Sequence, residues 1–470
     1  MSSPADPGST DARPGPIGSS GYGELLRRNR NFRRYWCGEL ISLIGDWFNL
    51  IASASLLVTL TDSGVALGAL FVLRMLTPFA VSPLAGLAAD RYNRKHLMIA
   101  ASLLRGLIVL GFLAIDSPDE VWLLYALTGL QLGVSGFFVP ARSAILPELV
   151  SRRELGAANA IDSVTWSSML AFGAALGGLV AGRWGVRTAF LVDAASFGLS
   201  ALILSRIAYQ PGRRIVGSAR DAVGQYLDGL HYLVRRPDLL FTALHKAAFG
   251  LLVSGGVSVS MVALSGGLFA IGEGGSTSLG MMYAAIGVGT GIGPLVTRWW
   301  TGDRPERIRW SLTLAYLVSS AGLLLIAVSV LAGEQGPGSG FAQRFLAWPA
   351  MHLGAWSGLA PETAAAFLVF LGATFVRAVG GGVNWVQSAQ LLLMQLPSRV
   401  RGRVFASEFA VFTLGEASGA ALGGWLLDHS QLGVAGLMRL EAGLVLVPAL
   451  LWSLWVLGRR RLLARAGALR

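Results

Sequence analysis

Apolar runs of about twenty residues, the length a helix needs to cross a hydrocarbon core, recur along most of the chain between short polar breaks. The pattern predicts twelve membrane-spanning helices, near 36–60, 64–88, 96–115, 121–143, 157–182, 187–207, 239–264, 278–298, 309–332, 363–387, 405–427 and 434–457. The short alternating segments of a membrane β-barrel are not seen. A polar stretch at 208–238, with Arg213, Arg214, Arg220, Arg235 and Arg236, separates two groups of six spans. The expected organisation is a basic, disordered N-tail at 1–35, a six-helix bundle at 36–207, a linker at 208–238, a second bundle at 239–457 and a basic C-tail at 458–470. Residues 1–22 are rich in Gly, Pro and Ser and carry no apolar core, so they read as a tail and not a signal peptide.

Composition agrees with the pattern. Of 470 residues, 53% are hydrophobic and 14% charged, and mean hydropathy is +0.59. A soluble domain would be roughly a quarter charged. The 61 glycines suit helices packed closely in lipid. A net charge of +12 raises the question of nucleic acid. The basic residues instead sit beside span ends, in one alternating set of loops, so the sequence points to no nucleic-acid partner. Arg91, Arg94, Lys95, Arg152, Arg153, Arg304, Arg399, Arg401 and Arg403 lie in that set, as do both tails. The other set holds Arg183, Arg187, Arg344 and Arg439. Positive charge marks the cytoplasmic side, which places both termini in the cytoplasm and the protein in the plasma (inner) membrane. In the long segment at 333–362, Trp348 and Trp356 are suited to the headgroup level, although a disordered loop reads equally well.

The two halves echo each other. Gly173-Ala174-Ala175-Leu176-Gly177-Gly178 in the fifth span is repeated as Gly419-Ala420-Ala421-Leu422-Gly423-Gly424 in the eleventh. Each lies in the fifth span of its half, which points to an ancestral repeat. Gly173, Gly177, Gly178, Gly419, Gly423 and Gly424 are expected to pack helices. Halves of this kind bind substrate between them near the midplane.

The break between the second and third spans reads Gly86-Leu87-Ala88-Ala89-Asp90-Arg91-Tyr92-Asn93-Arg94-Lys95. It resembles the loop signature of the major facilitator superfamily, and the span pattern extends that resemblance over nearly the whole chain. Pro294-Leu295, Asp303, Arg304 and Arg307 look like a decayed second copy. Phe32-Arg33-Arg34-Tyr35-Trp36, Leu40 to Trp47, Leu103-Leu104-Arg105, Leu146-Pro147-Glu148-Leu149-Val150, Ala158-Asn159 and Arg401-Gly402-Arg403-Val404 are similar to its macrolide-efflux-like drug:proton antiporter branch. The resemblance implies an all-α fold of twelve helices in two pseudo-symmetric six-helix bundles. It further implies that Asp90 faces the N-terminus of the eleventh helix across the halves, where free N–H groups favour a carboxylate. Gly86, Asp90, Arg91, Arg94 and Arg403 would then form a conformational latch. One departure stands out: Ala174 replaces the proline of the family's G-P-x-x-G-G motif, so the fifth helix should bend less.

Ionisable residues inside spans are functional by default, because desolvating them is costly. Asp46 and Arg74 each lie about ten residues into their spans, about 15 Å deep, and are expected to meet. Substrate displacing Arg74 would drive protonation of Asp46, the expected basis of antiport. Glu416 is the second proton-coupling candidate. Arg74, Asn49, Gln131, Arg377 and Lys246 are candidates for substrate contact, Lys246 with the alternative of snorkelling to the surface. Arg105 reads as structural. Cys37 reads as a plain helix residue. The five His show no zinc spacing, and neither a phosphate loop nor a nucleophile elbow occurs. The expectation is therefore no enzyme, no cofactor and no metal. It is a monomeric secondary transporter whose partners are a small-molecule substrate, protons and membrane lipids. Proton-coupled export of small amphipathic compounds leads; a lysophospholipid transporter and a non-transporting sensor on the same fold are the alternatives.

Overall fold

The computed structural model describes residues 20–210, 219–335 and 341–465. Its regular structure is helical, with no strand among the described residues. Among the described residues, twelve helices are long and apolar enough to cross a membrane. In order they are span 1 (Arg30–Leu60), span 2 (Gly64–Arg91), span 3 (Arg94–Ala114), span 4 (Pro118–Leu149), span 5 (Leu155–Trp184) and span 6 (Val186–Ser205). Then follow span 7 (Pro237–Gly266), span 8 (Glu273–Thr301), span 9 (Pro305–Gln335), span 10 (Pro361–Gln395), span 11 (Ser398–His429) and span 12 (Gly433–Arg459).

Several helices outrun their apolar cores by one or two turns. Span 1 begins at Arg30, span 4 continues to Leu149, and span 11 begins at Ser398. At the starts of spans 1, 2 and 3 a polar cap, and not the onset of hydrophobicity, marks the boundary. Asn29 accepts from the Phe32 N–H, Ser63 from Ala66 and Asn93 from His96, each satisfying one otherwise free donor of a first turn.

Three further helices occupy segments read as irregular from the sequence. Ser20–Arg28 is helical and continues almost directly into span 1, so 20–35 is not a disordered tail. The linker contains Ala219–Val234, and the stretch between spans 9 and 10 contains Phe341–Ser357, where Trp348 and Trp356 stand exposed. The extreme N-tail (1–19), Arg213 and Arg214, and 466–470 lie outside the described residues.

Spans 1–6 pack on one another, as do spans 7–12, and the two bundles meet chiefly through span 5 on span 8 and span 2 on span 11. One end of the molecule collects the starts of odd-numbered spans, the ends of even-numbered ones and most of the Arg; it is called the basic end below, and the other the opposite end.

The repeated hexapeptides occupy equivalent places. Gly177 lies against Phe48 of span 1, and Gly423 lies against Gly256 of span 7, each the first span of the same bundle. Their neighbours Gly178 and Gly424 face across the bundles, to Ser276 and Gly280 of span 8 and to Gly64 and Gly68 of span 2. Gly173 abuts Trp47, and Gly419 abuts the Leu251 carbonyl. A Cβ on Gly178 would come within 2.5 Å of the Ser276 carbonyl oxygen, closer than atoms pack. The backbones touch because side chains are missing there. Span 7 also contains a single π-helical turn, Gly250–Ser254, where Gly419 of span 11 presses against the Gly250 and Leu251 carbonyls.

Candidate functional site

The interior of the first bundle holds seven charged side chains. Arg105 of span 3 is 1% exposed, lies between the rings of Phe138 and Phe197 (4.6 and 4.3 Å), donates to Ser42 and Ser135, and approaches Asp46 at 3.6 Å. Flanking rings and hydroxyls offset part of the cost of burying its guanidinium. Arg142 of span 4 grips two carboxylates, Glu39 of span 1 at 3.0 Å and Asp162 of span 5 at 2.5 Å. Arg74 of span 2 is within Coulombic reach of Asp46, Asp193 and Tyr283, and its buried Nη1 has no hydrogen-bond partner. The Asp46–Arg74 pair expected from the sequence is therefore not closed. Arg105, expected to be structural, holds Asp46 instead, because spans 1, 3 and 6 pack together at that level.

The second bundle is arranged in pairs. Lys246 of span 7 meets Glu408 of span 11 at 3.1 Å and lies 4.6 Å from the Trp385 ring. It is 6% exposed and does not snorkel, because Glu408 and two rings receive it inside. Arg377 of span 10 is buried, and Glu441 of span 12 is its leading charge partner, ahead of Glu416. Glu416 is half-buried, with Ser254 and Arg377 beside it.

The two sets approach each other where the bundles meet. Trp47 of span 1 and Tyr283 of span 8 meet across the interface, ring centroids 5.8 Å apart and planes tilted by 54°. Arg74, Glu416 and Arg377 all lie within Coulombic reach of Tyr283. Of the other candidates, Asn49 is buried, its Oδ1 accepting from Ser53, and Gln131 is buried with its Oε1 unpartnered.

The ends of the molecule differ. At the opposite end, Asp428 of span 11 accepts from the Ser63 hydroxyl (2.7 Å) and the backbone N–H groups of Gly64 (2.5 Å) and Val65 (2.9 Å). It thus caps span 2 of the other bundle. Glu273 of span 8 likewise accepts from the Val186 N–H at 3.4 Å, at the start of span 6. At the basic end Asp90 has no hydrogen-bond or ion-pair partner among the described residues. The basic groups of its loop turn inward to their own bundle: Arg94 to Glu148 (2.6 Å) and Ala144, Lys95 to the Ile207 carbonyl (2.8 Å). Arg91 is exposed, and Gly86 has open space where a Cβ would stand. Arg403 pairs with Asp228 of the linker helix at 3.2 Å, and Tyr226 of that helix reaches Ser82 of span 2 at 3.3 Å. Spans 5 and 8 stay in contact as far as Ala171 and Gly287. Two turns nearer the basic end, Val164 and Leu295 are 66% and 64% exposed.

Sequence reading missed Glu39, Arg142, Asp162, Asp193, Glu408 and Glu441. Glu39, Arg142 and Asp162 fall inside the expected spans, within two turns of their ends, and nothing in the sequence shows that the three meet. Asp193 carries a clear signal, a lone carboxylate in an otherwise apolar span.

The family model of the Major Facilitator Superfamily matches residues 35–343. The chain belongs to this superfamily. It is similar to the MFS-type transporter YfiS of Bacillus subtilis, 26% identical over 433 residues, with 90% of this chain and 93% of that protein covered. A shorter match, 34% identical over 122 residues, covers 26% of this chain and 30% of the multi-drug resistance efflux pump PmrA of Streptococcus pneumoniae. The fold is shared with a bacterial homologue of the iron transporter ferroportin in its inward-facing state. There the TM-score is 0.66 at 15% identity, covering 92% of this chain and 99% of that one. The protein is thus a multi-pass membrane transporter with the major facilitator fold.

Proposed function

We propose that this transporter exports small amphipathic compounds across the plasma membrane in exchange for protons, with both termini in the cytoplasm. The asymmetry of Arg and Lys supports the orientation, and under it the structure is the inward-open form. The observation that carries the reading is the inequality of the two ends. Backbone contacts and two carboxylate caps seal one end, while at the other Gly291 has open space where a Cβ would stand, Val164 and Leu295 are exposed, and Asp90 has no partner among the described residues. A protein built this way exposes the Trp47–Tyr283 level to one side at a time. Likeness to a drug efflux pump supports export over uptake.

The wall at that level is aromatic and carries charges of both signs, Arg74 in one bundle and Glu416 in the other. This suits an amphipathic compound bearing a cationic group. Displacement of Arg74 by substrate, read from the sequence as the basis of antiport, would instead make substrate and proton bind together. Exchange needs competition, which arises when a cationic group approaches Asp46 or Glu416 and replaces a proton there. Asp90 serves the alternate state, capping span 11 when the basic end closes.

Reconstituted protein tests this reading with an imposed pH gradient, ethidium as cationic probe and lysophosphatidylcholine as lipid probe. Ethidium should accumulate on the acidic side. Ethidium flux indifferent to the gradient contradicts exchange, and movement of the lysolipid alone favours a lipid transporter.

A further inference from the structure

The sequence candidates for proton coupling are Asp46 and Glu416. The structure adds Asp193 of span 6. It is 0% exposed, and neither carboxyl oxygen has a hydrogen-bond partner. Room for it comes from Gly45 of span 1, where a Cβ would collide with the Asp193 Oδ1 and the Ser196 hydroxyl. The groups that act on it are Asp46 and the Asn49 amide from span 1, Arg105 from span 3 and Arg74 from span 2. The Asn49 Nδ2 faces it without closing a bond. Arg105 is committed to Asp46, and Arg142 to Glu39 and Asp162.

Charge balance singles this residue out. The interior of spans 1–6 holds four carboxyl groups, Glu39, Asp46, Asp162 and Asp193, against three guanidinium groups, Arg74, Arg105 and Arg142. With every group ionised, the network carries one uncompensated negative charge out of water, an arrangement low-dielectric interiors do not sustain. One added positive charge makes it neutral. Three of the carboxyls already lie beside an arginine; Asp193 does not.

We infer that Asp193 is the proton-binding site of this transporter, storing one proton in the inward-open state and releasing it through Asp46. Asp46 is the route because its side chain is 35% exposed and lies within reach of both Asp193 and Arg74. On release the Asp193 O–H bond breaks, the Asp46 carboxylate takes the proton, and cavity water receives it in turn. The network then accepts a different positive charge, the cationic group of a substrate beside Asp46. Proton and cation exclude each other because either one completes neutrality, giving one-for-one exchange. This functional consequence rests on the export reading; the proton site itself does not.

Infrared difference spectroscopy of the purified protein in nanodiscs separates the two. The carbonyl stretch of a protonated carboxylic acid distinguishes it from a carboxylate. Asp193→Asn should remove one such band at neutral pH, whereas Asp46→Asn should retain it. Asn matches the neutral acid in size, and Asp193→Ser provides a second variant that should lose the same band. Persistence of the full band in folded Asp193→Asn or Asp193→Ser overturns the assignment, whatever the protein carries. In proteoliposomes Asp193→Asn, whose network is permanently neutral, should exchange labelled for unlabelled ethidium more slowly than the native protein and lose its response to a pH gradient. A lost band in the variant with no ethidium transport by the native protein would sink the export reading and leave the proton site standing. A preserved gradient response in Asp193→Asn would overturn the site's part in coupling.

Discussion

The two ends of this transporter close by different chemistry. At the opposite end, contact is made by what the side chains lack: Gly64 against Gly424, Gly178 against Gly280, Gly182 against Gly272. Asp428 and Glu273, both from the second bundle, then cap helices of the first. At the basic end the reciprocal carboxylate, Asp90, sits at the end of span 2 and has no partner among the described residues. The linker helix meanwhile spans the gap from Ser82 to Arg403 and Ser407. Asp428 ends span 11 and caps span 2; Asp90 ends span 2 and, on the proposed cycle, would cap span 11. On the proposed cycle the pair would be one device used twice, once at each end, with the bundles rocking between them. Glycine contacts supply close fit, which any side chain abolishes, whereas carboxylate caps supply a bias of modest size that can be broken each cycle.

Substitutions at the two ends should therefore differ in magnitude. Gly424→Leu should have the largest effect, because its Cβ alone would collide with the Gly64 carbonyl. Overpacking of this kind costs about 1–3 kcal/mol, so the opposite end should stay open, with ethidium flux reduced to near background. Near-native flux in this variant would break the claim that backbone contact forms the seal. Asp90→Asn should express and insert normally yet slow transport by about tenfold, the worth of one charge-assisted cap. Normal transport by well-inserted Asp90→Asn would remove Asp90 from the cycle. Asp428→Asn keeps the shape of the opposite cap and weakens it by about 1 kcal/mol. It should shift the resting population several-fold toward opening at that end, read from thiol labelling of a cysteine at Val65 in a Cys37→Ser background. Unchanged labelling would leave the glycine contacts as the whole seal. Asp228→Ala should act least, since the Asp228–Arg403 pair is exposed and worth at most about 1 kcal/mol. A large effect there would make the linker helix a principal brace.

The fold was legible because lipid imposes a length and a composition that the apolar runs display directly. The repeated hexapeptide also stood out in the sequence, and its glycines lie at both bundle contacts. Partnerships were not legible. Asp46 and Arg74 were matched by depth alone, but depth says nothing of which face a side chain takes, and Arg105 reaches Asp46 first. Lys246 was read by its distance from the surface, which ignores the Glu408 waiting inside. Glu39, Arg142 and Asp162 lie inside the expected spans near their ends, and no spacing in the sequence brings them together. Asp428 was hidden likewise: at the last turn of its span it resembles any terminal charge until span 2 is seen beneath it.

The central claim is that the basic end opens and closes while the opposite end does the reverse. Double electron–electron resonance between spin labels at Val164 and Leu295, in a Cys37→Ser background, tests it most directly. These positions lie on spans 5 and 8, about two turns nearer the basic end than the contact of Ala171 with Gly287. The account predicts a long-distance population in the resting protein and a shorter one that grows in Gly424→Leu and in Asp428→Asn. A single distance distribution, unmoved by either substitution, would contradict it.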